Sequence, residues 1–138
     1  MKIQIITMPP DSLITEIDNQ LEAFNQEHFD VNDKIPIAVI VQSETGQLQA
    51  GISAKTFGNW LLIENIWLSP PLRGKGIDSE LLAELETAAV RRGCKFALLE
   101  TLHPQTRPFY EKHGYAVRWT QEDYPTEGSK CYMVKKLG

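Results

Sequence analysis

A chain of 138 residues has room for one domain with a single sizeable core. Its 42% hydrophobic and 23% charged residues argue against disorder, and a net charge of −4 argues against wholesale nucleic-acid binding. Any anion site must therefore be a local concentration of donors rather than a basic surface.

In chain order, "KIQIIT" (residues 2–7) reads as a short strand stopped by Pro9 and Pro10. Residues 12–27 place Leu13, Ile14, Ile17, Leu21 and Phe24 at helical spacing. "IAVIVQS" (37–43), "LQAGISAKTF" (48–57) and "WLLIENIWL" (60–68) form an antiparallel meander, with turns at "ETGQ" and "GN". The next helix is predicted from about Lys75 to Arg92. Ile77, Leu81, Leu85 and Ala88 make its apolar stripe, widened by Leu82 and Ala89, and Gly93 stands where a left-handed cap belongs. "KFALLETL" (95–102) follows as a strand, so the strand-helix-strand unit implies a right-handed parallel crossover. Pro104 and Pro108 confine the start of a short helix to about 105–107, and Gly114 ends it. "YAVRWT" and "CYMVKKL" are the final strands. The whole is an α/β fold with a mixed central sheet of about seven strands, flanking helices and one parallel crossover in its middle, organised as a single domain over 1–138.

Neither cysteine, Cys94 or Cys131, has metal or redox-motif spacing, and the three histidines show no ligand spacing, so no metal is expected. Both thiols read as buried groups without a base partner. The N-terminal residues lack a signal-peptide pattern and no apolar run could span a bilayer, so a cytoplasmic protein without membrane attachment is expected.

The stretch "LRGKGIDSELL" (72–82) carries the clearest chemistry. Glycines let backbone N–H groups approach a ligand, a helix N-terminus presents more of them, and Arg73 and Lys75 add positive charge. The spacing fits neither a P-loop nor the dinucleotide fingerprint. Together with "RPFYEKHGY" some thirty residues on, the stretch resembles the GCN5-related N-acetyltransferase (GNAT) superfamily, across nearly the whole chain. That family has an R/Q-x-x-G-x-G/A loop after its fourth strand and a later Y-E-K-x-G-F/Y helix.

The resemblance implies an acetyl-CoA-dependent N-acetyltransferase, needing no metal, that acts on a small-molecule or peptide amine by direct attack in a ternary complex. Backbone N–H groups of Arg73, Gly74, Lys75, Gly76, Ile77, Asp78 and Ser79 would hold the pyrophosphate. The end of the fourth strand, Ile66, Trp67 and Leu68, would pair with the pantetheine arm. Tyr110 would be the general acid toward the departing thiolate. His103 stands where many members carry a cofactor-contacting asparagine, and Asp78 replaces the last Gly or Ala of the loop motif. If Asp78 faces the loop mouth it opposes the pyrophosphate, and if it points outward, as expected, it does not. The alternative is a GNAT-fold module that binds CoA weakly or not at all and acts in binding or regulation rather than catalysis. Homodimers are common in the family.

Glu64 is the best candidate base: strand alternation places it with Leu62, Ile66 and Leu68, an apolar row that would raise its pKa. Serial proton relay through water is the other route. The first helix has an acidic face (Glu16, Asp18, Glu22, Glu27) that reads as solvated, and the resemblance sets it beside the acceptor site.

Overall fold

Alternating burial along residues 35–68 builds the meander. Strand β1 (Ile35–Gln42) pairs antiparallel with β2 (Leu48–Phe57), and β2 with β3 (Trp60–Leu68). In the computed structural model, which describes residues 1–30, 33–102 and 104–138, the turns fall where the sequence places them. Ser43 and Gln47 close the first, with the Ser43 N–H donating to the Gln47 carbonyl at 2.9 Å, and Gly58 with Asn59 make the second.

A 3₁₀ turn (Pro70–Leu72) ends the meander, and helix α2 runs Ile77–Arg91. Leu81, Leu82, Leu85 and Ala89 are its buried residues, against a core that includes Ile52, Leu61, Ala97 and Met133. Gly93 at φ +95° ends it: its N–H donates to the Val90 carbonyl and that of Cys94 to the Ala89 carbonyl, a Schellman-type closure. The crossover then delivers β4 (Phe96–Thr101) parallel to β3. Helix α3 (Arg107–Lys112) carries Pro108 in its first turn, where no intrahelical N–H is required. Strands β5 (Ala116–Glu122) and β6 (Ser129–Lys136) finish the sheet.

The strand order is β1-β2-β3-β4-β6-β5, with β6 inserted between β4 and β5. At the β1 edge, Arg92 donates to the Ile35 and Pro36 carbonyls (both 3.2 Å) and to the Thr56 hydroxyl (3.1 Å). The guanidinium thus ties the end of α2 to a strand margin that would otherwise be bare.

The chain divides into two compact units, 1–33 and 34–138. The first is built on α1 (Asp11–His28), where Pro10 opens the helix and the Leu13 N–H donates to its carbonyl. The strand expected at residues 2–7 does not form. Ile3 and Ile5 alternate as in a strand, but a strand exists through its ladder, and the described residues of this unit offer no second strand. Among the described residues the sheet therefore has six strands rather than about seven.

Candidate active site

The site begins where β3 and β4 part. Their parallel ladder consists of Trp60 with Phe96, Leu61 with Ala97 and Leu62 with Leu98, and then stops. Beyond it two cavities open, of about 450 and 380 Å³, sharing Ile63, Glu64, Leu99 and Glu100 as walls. The β2–β3 register also shifts there. Ala54 faces Ile63 and Ser53 faces Asn65, leaving Glu64 as the extra residue of a β-bulge.

That bulge corrects the expected placement of Glu64. Leu61 and Ile63 point into the core, and beyond the bulge so do Ile66 and Leu68, so Leu62 and Ile66 do not share a face. Glu64 stands outside the apolar row, with its side chain 43% exposed and its carboxylate 3.6 Å from Lys55 Nζ. It still lines both cavities. The bulge also bends the strand, leaving Asn65–Leu68 beyond reach of the β4 ladder. Trp67 itself is exposed, and the Leu68 carbonyl accepts from Arg73 Nε at 3.1 Å.

Around the glycine loop the backbone follows the sequence closely. Gly74 (φ +74°) and Gly76 (φ +81°) are left-handed, with nothing within 4 Å of where a Cβ would stand. Backbone conformation, not crowding, requires them. Gly76 caps α2, which starts at Ile77 rather than Lys75, and the Glu80 N–H is the first to find a backbone acceptor, the Gly76 carbonyl at 3.2 Å. Two of the expected donors are already engaged. The Arg73 N–H donates to the Pro70 carbonyl (3.2 Å), and the Ser79 N–H donates to Asp78 Oδ1 (2.9 Å). Asp78 is therefore not turned outward: its carboxylate folds back over the helix terminus. The remaining donors at Gly74–Asp78 and the backbone edge of β3 beyond the β4 ladder fit a pyrophosphate with an extended arm.

Tyr110, on α3, is 7% exposed and lines the larger cavity. Burial, and then the nearby Asp78 charge, push its phenol above the ordinary tyrosine value, so it carries its proton at neutral pH. Phe109 and Tyr115 meet its ring edge-on at 5.1 and 5.9 Å. Tyr115 is anchored in turn, its hydroxyl donating to Glu86 (2.7 Å), which also pairs with Lys135 at 2.7 Å. A hydrogen bond of 2.9 Å between Ser79 Oγ and His113 Nε2 ties the start of α2 to the end of α3. His103 lies outside the described residues. Cys94 is buried, which raises its thiol despite Arg92 nearby, and a thiol held protonated is a poor nucleophile. Among the described residues no group of three or more His, Cys, Asp or Glu is placed to hold a metal ion, and no helix is long and apolar enough to cross a membrane.

The opposite wall escaped the sequence reading. Glu100, Tyr124 and Lys130 line the same cavity as Tyr110. Lys130 Nζ lies 4.2 Å from the Tyr124 ring centroid, 5.4 Å from that of Tyr132 and 3.7 Å from the Glu100 carboxylate. Burial works against this charge, but the Tyr132 and Tyr124 hydroxyls and Glu100 outweigh it and hold the ammonium above the ordinary lysine value. The i, i+2 spacing of Lys130 and Tyr132 on one face of a strand was the available signal.

The acetyltransferase (GNAT) family model matches residues 6–115. An acetyltransferase of Agrobacterium fabrum is 29% identical over 99 residues, 72% of each chain. The blasticidin-S acetyltransferase of Streptomyces morookaense is 32% identical over 95 residues, 68% of this chain and 70% of that one. A crystal structure of an acetyltransferase from Bacillus cereus superposes with a TM-score of 0.84 at 26% identity, covering 97% of this chain and 98% of the other. The opened strand pair, the glycine loop and the α2 terminus all lie within the residues that this family model matches. The chain belongs to the GNAT family of acetyltransferases.

Proposed function

We propose that residues 1–138 form one acetyl-CoA-dependent N-acetyltransferase domain acting on a primary amine of a small molecule, by direct attack in a ternary complex. The observation that carries this is Tyr110, a buried and protonated phenol at the wall of the β3–β4 cleft. Acetyl-CoA, when bound, supplies an acetyl thioester whose C–S bond breaks as the C–N bond to the acceptor forms. Gly74–Asp78 hold the pyrophosphate with backbone N–H groups at the α2 terminus. The exposed edge of Ile66–Leu68 orients the arm.

Glu64, poised between the two cavities and in water contact, takes the proton released by the acceptor nitrogen. Tyr110 Oη gives its proton to the departing sulfur and is reprotonated from solvent, to which Glu64 releases the proton it took, so charge and protons balance. A phenol held above its ordinary ~10 gives its proton uphill to a thiolate whose conjugate acid titrates near ~8.5, so the transfer needs the phenol kept on the sulfur, and Tyr110 is packed against the Phe109 and Tyr115 rings. The blasticidin-S relative supports a small amine rather than a protein acceptor.

The test is calorimetry with acetyl-CoA and CoA, followed by thiol release across an amine panel. Binding of both ligands with amine-dependent thiol release is expected. Absence of binding at millimolar ligand would leave the weakly binding regulatory module as the better reading, one that the folded-back Asp78 favours.

A further inference from the structure

The cleft holds a charge that acetyl transfer itself does not use. Lys130 faces the same cavity as Tyr110 and Glu64, with its side chain only 13% exposed. Lysines normally extend their ammonium into water, so holding one back against aromatic faces requires a fixed surrounding. That surrounding is built from two sides. Tyr132 stacks on Trp119 with ring centroids 5.2 Å apart. Tyr124 is fixed by a loop that closes on itself, its N–H donating to the Gly128 carbonyl at 2.8 Å. A Cβ on Gly128 would stand 2.7 Å from the Tyr124 carbonyl oxygen, so glycine is what lets the loop close.

The counter-charge is loosely held. Glu100 is 3.7 Å from Nζ, beyond a short charge-assisted bond, and its side chain is 48% exposed and able to swing into water. An incoming carboxylate could then take its place on the ammonium. Lys130 is the one cation among the described residues lining this cavity, with no arginine fork beside it, which suits a monoanionic carboxylate better than a phosphate. A cavity of about 450 Å³ suits a small ligand.

Resting on the acetyltransferase reading above, we propose that the acceptor is an amino-acid-like amine carrying a carboxylate, and that Lys130 is the specificity residue that binds this carboxylate while the amine faces Glu64 and Tyr110.

The experiment uses matched pairs: the standard amino acids and their α-amides, as acceptors with acetyl-CoA and as ligands in calorimetry of the CoA-saturated protein. The carboxylated member should be favoured by about tenfold or more in both assays, the scale of one hydrogen bond to a charged group. Lys130→Met, which keeps the stem, should erase that preference through KM and leave kcat and the amides nearly unchanged. Lys130→Arg should keep part of it. Equal use of the pairs by the native protein would overturn the proposal, as would no reaction of any carboxylated amine, or a Lys130→Met loss that falls on both members alike. The native comparison needs no variant to fold. Failure to bind acetyl-CoA would instead overturn the acetyltransferase reading, whereas acetyl-CoA binding with acetylation of amides alone would overturn only the carboxylated acceptor and the role of Lys130 in binding it.

Discussion

At its Trp60 end the β3–β4 junction is a parallel ladder, sealed by the Trp60 and Phe96 rings stacked 4.9 Å apart. At its Leu68 end the same two strands stand apart around the cavities. Both ends are made of similar apolar residues, so composition does not distinguish them. The difference is a bulge at Glu64, which ends the regular run of β3 and leaves backbone groups for a ligand instead of a neighbouring strand. A sheet can remain open at one end only because the other end is closed firmly enough to prevent collapse.

The largest effect should come from breaking the closed end. Leu61 is fully buried there, and Leu61→Ala should cost about 2–5 kcal/mol, read as a lower urea midpoint. A change below 1 kcal/mol would show that the ladder is not what holds the junction. At the open end the reverse pattern is expected. Tyr110→Phe should lower kcat by roughly 100-fold while acetyl-CoA affinity and the urea midpoint stay close to native, as for a proton donated only in the transition state. Unchanged kcat would remove the phenol from the rate-limiting step.

Smaller effects sharpen the comparison. Gly76→Ala should cost about 1 kcal/mol and weaken CoA binding, because it strains φ +81° although the space is free. Gly76→Asn should recover part of the loss, since asparagine tolerates that region; identical behaviour of the two variants would point to crowding instead. The smallest shift concerns Asp78→Asn. Burial and then Asp78 hold the Tyr110 proton above its ordinary value, so activity should persist at neutral pH and fall as pH rises through that raised value. Removing the Asp78 charge lowers it, so the alkaline limb of kcat should move to lower pH, while CoA binds a few-fold tighter. An unmoved limb would mean the carboxylate does not act on Tyr110.

Much of the backbone was readable because its signals are local. The α2 stripe and Gly93 cap, the Gly58–Asn59 turn and the two loop glycines each lie within a few residues of what they control. What was missed depends on distant partners. "KIQIIT" has strand alternation but no ladder. Glu64 was assigned to the wrong row because one extra residue inverts every side chain after it, and alternation alone does not reveal a bulge. Lys130 stands in sequence as an ordinary surface lysine; Tyr124, Tyr132 and Glu100 reach it from a loop and two strands. The two loop glycines and the place of Tyr110 on its short helix were legible, whereas the bulge at Glu64 and the surroundings of Lys130 needed the fold.

The insertion of β6 between β4 and β5 has a consequence for how this molecule assembles. The strand that fills the interior of the sheet is the last one in sequence, and Met133, wholly buried, sits on it. Until it arrives, β4 has an unpaired margin and β5 has no neighbour at all. Synthesis therefore passes through a stage in which the meander and α2 are complete while an apolar strand edge is open to strangers, a period during which chaperone capture or self-association competes with closure.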